Sequence, residues 1–195
     1  MTALPEPYIS LEEYFTLEET SEERHEYYQG NIYAMTGGTG PHSLITSNVM
    51  GLLYIHLSEK DCDVYPGYLR IKIETTTLYT YPDAMVVCGP LSYVDNRRDT
   101  INNPLVIIEV LSPSTERYDR GKKAENYRTI PTLSEYLLIS QDRLHVEHYR
   151  REAGNRWILL DYSTPDQEVQ LDSIGGSLPM AMIYKRVQFD EAETE

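Results

Sequence analysis

The sequence is poor in cysteine and has no long hydrophobic run. Its two cysteines, Cys62 and Cys88, are far apart and do not match the spacing of a metal site. No apolar stretch approaches the roughly 20 residues that cross a bilayer. The acidic N-terminus also lacks the basic and then apolar start of a secretory signal. These absences predict a cytoplasmic protein without a membrane segment, in which both thiols are reduced.

Internal repeats, low-complexity segments and breaks in composition are absent as well. The 195 residues, of which 41% are hydrophobic, suffice for one domain with an ample core. We therefore predict a single domain over residues 1–195, with an acidic helical segment at its N-terminus and a frayed C-terminal tail. Phenylalanine is scarce, with two residues against 17 tyrosines. Exposed tyrosine rings can stack on bases, but packing at the edge of the core explains most of them.

Basic residues are outnumbered, and the formal net charge is −14. Such acidity argues against tight binding of a nucleic-acid duplex. The excess is concentrated at the ends: residues 1–26 carry −7 and residues 185–195 carry −2, which leaves −5 for residues 27–184. The basic residues of that middle part are partly clustered at Arg117, Arg120, Lys122, Lys123 and Arg128.

Hydrophobic periodicity and turn signals predict an α/β domain with a mixed sheet flanked by helices. A capping box at Ser10 begins a short helix to about Leu17, and a longer helix begins at Pro41. The remaining predicted elements, in chain order, are strands at 25–35, 68–74, 83–87 and 105–111, a helix at 116–128, a hairpin of 135–139 with 144–150, and strands at 156–160 and 168–171.

One carboxylate lies inside an apolar strand. Residues 105–111 form a short apolar run that is typical of a strand buried on both faces, and Glu109 is its one charged residue. An ionised glutamate there would cost several kcal/mol unless a cation or a hydrogen-bond donor meets it. A second acid, Asp83, begins a similar run. Two acids on adjacent core strands indicate a divalent-metal site, since Mg²⁺ prefers hard oxygen ligands.

The spacing of these acids resembles the split motif of the PD-(D/E)XK nuclease-like superfamily. More narrowly, the chain is similar to the bacterial putative restriction endonucleases of a former domain-of-unknown-function family, over about residues 10–150. The matching features are Glu26, Gly30, Met35, His42, Pro82-Asp83, Glu109-Val-Leu-Ser-Pro-Ser-Thr115, Asp119, Lys123, Tyr127 and Glu135-Tyr136. The resemblance implies Mg²⁺-dependent hydrolysis of DNA, with Mn²⁺ able to substitute.

The resemblance also assigns roles to individual residues. Asp83 and Glu109, with the Val110 carbonyl nearby, are the predicted metal ligands, and Glu26 corresponds to the N-terminal acid that often joins them. The lysine expected two residues after Glu109 is replaced by Leu111. The subfamily supplies it from the following helix, which indicates Lys123, while Lys122 points about 100° away on a helix.

Further residues complete the prediction. His42, at a helix N-terminus, is a candidate accessory residue, although a cap or a core contact is the simpler explanation. Arg117, Arg120 and Arg128 are candidate phosphate contacts beside the site. DNA is the expected substrate; the sequence leaves the oligomeric state open, and a homodimer is allowed.

Two other functional classes remain open. A catalytically lapsed nuclease fold used as a binding or assembly module is favoured by the acidic surface and the displaced lysine. The retained acid pair and Lys123 argue against it. A carboxylate-pair hydrolase of another kind, such as a glycosidase, has no sugar-specific feature to support it.

Overall fold

The computed structural model describes residues 8–35 and 37–189. A five-stranded sheet contains much of the N-terminal half, with the strand order β2-β1-β5-β4-β7. Its strands are β1 (His25–Tyr28), β2 (Asn31–Ala34), β4 (Arg70–Ile73), β5 (Leu78–Thr80) and β7 (Thr100–Ile101). Helix α1 (Leu11–Thr20) begins at the predicted capping box of Ser10 and Glu13. It packs through the buried Tyr14 against Tyr27 and Tyr79.

A six-stranded sheet forms the centre of the molecule, in the order β11-β10-β9-β8-β6-β3. Its strands are β3 (Cys62–Pro66), β6 (Ala84–Cys88), β8 (Val106–Leu111), β9 (Glu135–Ser140), β10 (Val146–Glu152) and β11 (Arg156–Tyr162). Only β8 and β9 of this sheet run parallel. The predicted strand at 105–111 and the predicted hairpin are both present.

The alternation of side chains along β8 divides the core into two layers. Val106, Ile108 and Val110 pack in the cluster that includes helix α2 (Gly40–Leu57). Ile107 and Leu111 pack in the cluster on the other face. Glu109 shares the second face by alternation, so a carboxylate enters an otherwise apolar layer.

The helix after β8 covers this second face. It consists of α3 (Glu116–Tyr118), a π-helical turn (Asp119–Lys123) and α4 (Ala124–Tyr127), which follow one another directly. The prediction of a helix at 116–128 is therefore confirmed, except that a regular α-helix was expected throughout. The C-terminal hairpin of β12 (Glu168–Leu171) and β13 (Gly176–Pro179), followed by α5 (Met180–Ile183), contributes to the first layer.

The prediction of two reduced thiols is wrong. Cys62 on β3 and Cys88 on β6 lie opposite each other in an antiparallel pair, and their sulfurs form a disulfide. The prediction failed because it took residues that are far apart along the chain to be far apart in space. The pairing of β3 with β6 brings the two cysteines together.

The C-terminal tail was predicted to be frayed, and residues 190–195 at its end lie outside the described residues. No helix among residues 8–35 and 37–189 has the length and apolarity that crossing a bilayer requires.

Candidate active site

Asp83 and Glu109 meet where two strands of the central sheet lie side by side. Strands β6 and β8 pair antiparallel with Ala84 opposite Ile108, so Asp83, just before β6, lies beside Glu109. Asp83 Oδ2 accepts a hydrogen bond from the Val110 backbone N–H at 2.7 Å. Both acids line one cavity of about 480 Å³. The structure thus brings together the two acids that the sequence singles out.

Lys123 reaches the same cavity from the π-helical turn. Its Nζ lies 2.9 Å from Oε1 of Glu109 and 3.0 Å from Oε1 of Glu26. Asp119 contributes a third carboxylate oxygen at 3.5 Å. Lys122 instead points outward, with a side chain that is 52% exposed and pairs with Glu125. The expected difference between the two lysines is therefore present in the structure.

Two charged residues of the π-helical turn are directed inward. Asp119 and Lys123 are buried and line the cavity, whereas Arg120 and Lys122, between them, are partly exposed. Single π-turns within α-helices are rare and frequently occur at functional sites.

Glu26 joins the cluster from β1 of the other sheet. It is buried, lines the cavity and pairs with Lys123. The Thr80 hydroxyl on β5 donates a hydrogen bond to Glu26 Oε1. Its contact with Lys123 places Glu26 to hold the lysine.

Burial and neighbouring charges determine the protonation of Glu109 and Lys123 at the centre of the site. Burial raises the pKa of Glu109 to about 8; Lys123 opposes the shift, and the charges of Asp83 and Asp119 add to it. The Tyr127 hydroxyl donates a hydrogen bond to Glu109 Oε1 at 2.7 Å. Burial alone would lower the pKa of Lys123, but the Glu109 and Glu26 carboxylates hold it well above its usual value. Lys123 is thus a permanent cation among these acids.

His42 lies at the N-terminus of α2 and contacts Asp83. Its Nε2 is 3.2 Å from Asp83 Oδ2. Burial lowers the pKa of His42, but hydrogen bonding and the charge of Asp83, with the Val110 backbone, raise it overall. A Cβ atom on Gly38 would lie only 2.8 Å from His42 Nδ1, so the close approach of this loop requires glycine. The candidate accessory residue therefore belongs to the cavity.

The three candidate phosphate-contacting arginines are not among the residues that line the cavity. Arg120 pairs with Glu116 and with Glu147 Oε1, the latter at 2.8 Å. Arg128 lies over the Tyr149 ring and donates to the Ala124 carbonyl. Arg117 is exposed.

Sequence reasoning missed a group of tyrosines along the wall of the cavity. Tyr28 and Tyr33 come from the β1–β2 hairpin, and Tyr118 comes from α3. We refer to Tyr28, Tyr33 and Tyr118 as the tyrosine wall. The excess of tyrosine over phenylalanine was the available signal, but composition does not say which rings face a cavity.

The donor set suits a hard divalent cation bound by few protein ligands. Among residues 8–35 and 37–189, no group of three or more His, Cys, Asp or Glu side chains is placed to hold a metal ion. Mg²⁺ is commonly bound by one or two carboxylates together with water and substrate phosphates. Among the described residues, four carboxylates line the cavity, and Lys123 is the one lysine or arginine there; the acids are Glu26, Asp83, Glu109 and Asp119. This excess of negative charge favours a cation.

Comparison with known proteins gives matches over nearly the whole chain. Residues 11–181 match the model of the family described as "Uma2: Putative restriction endonuclease". An uncharacterized protein of Synechocystis sp. is 40% identical over 187 residues, which cover 95% of this chain and 96% of that protein. A second uncharacterized protein of the same organism is 33% identical over 162 residues, covering 83% and 92%.

A solved structure shares the fold. The crystal structure of a protein from Anabaena variabilis, described as a putative nuclease belonging to DUF820, superposes with a TM-score of 0.75 at 21% identity. The match covers 92% of this chain and 99% of that one. Together with the family match, it confirms the predicted resemblance and the predicted α/β fold.

Proposed function

Since the chain belongs to the putative restriction endonuclease family, we propose that it is a metal-dependent nuclease that hydrolyses DNA phosphodiester bonds. Membership in this family supports a nuclease-like protein of the PD-(D/E)XK type. The metal dependence, the reaction and the DNA substrate are what we propose beyond it. Mg²⁺ is the proposed cofactor, with Mn²⁺ as a substitute.

The observation that carries the proposal is the convergence of Asp83, Glu109 and Lys123 on one cavity. Three separate elements supply them: the start of β6, the middle of β8 and the π-helical turn. The cost of burying Glu109 and Lys123 makes a purely structural role a poor explanation, because apolar residues of similar size often replace buried ion pairs without loss of stability. Buried groups with a shifted pKa in a cavity are typical of functional sites.

Asp83, Glu109 and the Val110 carbonyl would hold the ion. Tyr127 and Lys123 both contact Oε1 of Glu109, which leaves Oε2 as the oxygen for a metal. A divalent ion bound there would neutralise charge on the scissile phosphate and lower the pKa of a bound water. Lys123, held by Glu109 and Glu26, would orient the attacking water or stabilise negative charge at phosphorus. His42 would position Asp83.

The test is cleavage of labelled DNA in Mn²⁺, Mg²⁺ and EDTA. We expect Mn²⁺ to support cleavage and EDTA to abolish it. Asp83→Asn, Glu109→Gln and Lys123→Ala should each reduce the rate by about 100-fold or more, since each removes a group that acts in the transition state. Lys122→Ala is the matched control and should keep the wild-type rate.

Two results would contradict the proposal. Cleavage that persists in EDTA would exclude a metal-dependent reaction. Activity that is lost in Lys122→Ala but retained in Lys123→Ala would show that the wrong lysine has been assigned.

The catalytically lapsed module is the second candidate. The contacts of Arg120 with Glu116 and Glu147 favour it, because they occupy a cation that could otherwise bind phosphate. Absence of cleavage in Mn²⁺ together with retained Mn²⁺ binding would support this alternative.

A further inference from the structure

We propose that the site accepts an unpaired strand of DNA and discriminates against an intact duplex. The inference rests on the proposed nuclease function and adds its substrate class. Its basis is the depth of the cavity, the tyrosine wall and the surrounding charges.

Two of the groups assigned to catalysis, Glu109 and Lys123, are buried, whereas Asp83 is partly exposed. Glu109 is 4% exposed and Lys123 is 5% exposed, so a phosphate must enter the cavity to reach them. The cavity volume of about 480 Å³ lies within the range of small-molecule sites. A duplex is stiff over about 150 base pairs, and its two paired strands cannot enter a space of this size together. A single strand can bend and insert one nucleotide.

The wall of the cavity offers aromatic rings to such a nucleotide. Tyr33 is 52% exposed although it lies on a strand and lines the cavity. Tyr118, on α3, has its ring centroid 5.9 Å from Lys123 Nζ, so an aromatic face adjoins the lysine. Proteins that bind single strands commonly stack bases on such side chains, whatever the sequence. Bases in a duplex are already stacked and do not present their faces.

Among the residues that the structure describes, most of the lysines and arginines near the cavity are paired with acids, whereas duplex binding requires cations that can meet the phosphates. Duplex binders gain most of their affinity from Lys and Arg at the phosphates. Here Lys123 is surrounded by carboxylates, while Arg120 and Lys122 pair with acids on the surface. A ligand that gains affinity from stacking depends less on such contacts.

The experiment compares labelled oligonucleotides of one sequence as single-stranded DNA, as blunt duplex DNA and as single-stranded RNA. Affinity is measured in Ca²⁺, which commonly supports binding without turnover, and cleavage is measured in Mn²⁺. We expect single-stranded DNA to be bound and cut at least about tenfold better than the duplex, as loss of one or two stacked bases implies. Equal or better cleavage of the duplex would overturn this inference and leave the proposed function intact. Failure of all three to bind or be cut would overturn both.

A set of tyrosine variants tests the tyrosine wall. Tyr33→Ala should weaken binding of single-stranded DNA by about fivefold or more, whereas Tyr33→Phe keeps the ring and should bind normally. Tyr54→Ala is the control, since Tyr54 is 71% exposed on α2 and does not line the cavity. Unchanged affinity in Tyr33→Ala would overturn the stacking role. If only the RNA were cleaved, the preference for an unpaired strand would stand, but DNA would be excluded as the substrate.

Discussion

Replacement of Glu109 by Gln should stabilise the metal-free protein at neutral pH. The pKa of Glu109 rises from 4.5 to about 8 on folding, first because of burial and then because Asp83 and Asp119 add negative charge. A carboxyl group whose pKa rises on folding makes the folded state less stable as the pH increases from its unfolded pKa to its folded pKa. Between pH 4.5 and pH 7 the free energy of unfolding falls by roughly 3 kcal/mol, at about 1.4 kcal/mol per pH unit.

Glutamine has nearly the same shape and carries no charge to titrate. Its side-chain oxygen can accept the hydrogen bond from Tyr127, and Lys123 keeps Glu26 and Asp119 as partners. Glu109→Gln should therefore not lose stability as the pH rises. Its melting temperature at pH 7 should be about 6–12 °C higher than that of the wild type. The gain should be small near pH 4.5, grow with pH and level off above about pH 8.

The assay is thermal unfolding in EDTA across this pH range, for wild type, Glu109→Gln and a surface control. Glu116→Gln is the control, because Glu116 is half exposed and its pair with Arg120 should contribute less than about 1 kcal/mol. A lower melting temperature for Glu109→Gln at neutral pH would refute the reasoning and indicate a structural ion pair with Lys123. So would a difference that does not change with pH.

Two further predictions concern the metal and His42. Mn²⁺ should raise the melting temperature of wild type but not of Asp83→Asn, and binding at pH 7 should release about one proton, since Glu109 has a pKa of about 8 and must ionise. Calorimetry in buffers of different ionisation enthalpy would detect no such release if Glu109 were already ionised. The raised pKa of His42 stabilises the folded state below about pH 6.5 and less as the pH rises through the folded pKa. His42→Gln should therefore lower the melting temperature at pH 6 more than at pH 9, and an equal loss at both would exclude a charged contact with Asp83.

The sequence pattern was sufficient to place the two central acids, because their placement depends on local pattern, whereas the choice of Lys123 rested on the family resemblance. An unbroken apolar run requires a buried strand, and any acid inside it must face another group. The run after Pro82 predicts the neighbouring strand, so Asp83 falls at its start. The arguments for the two acids need only the period of a strand. A helix that follows Glu109 can return a side chain to the same strand, but it was the resemblance that indicated Lys123.

The features that were missed depend on which elements pair with one another. The disulfide between Cys62 and Cys88 follows from the register of β3 with β6, which neither strand specifies alone. The engagement of Arg120 by Glu147 requires β10 to lie beside the helix. Likewise, Tyr33 lines the cavity only because the β1–β2 hairpin and the helix after β8 both contribute to its wall. Such contacts between distant parts of the chain have no signature in a single sequence.

The displacement of the lysine from position 111 to position 123 has a physical explanation in the packing. Leu111 shares the face of Glu109 and lies in the apolar cluster with Ala124 and Tyr127, where it is 3% exposed. A lysine at position 111 would place its charge beneath the helix, among these side chains. Lys123 brings the same amine from the opposite side and meets Glu109 directly, at 2.9 Å. One cation beside the central acid is thus retained, and the apolar packing of the helix on β8 is kept at the same time.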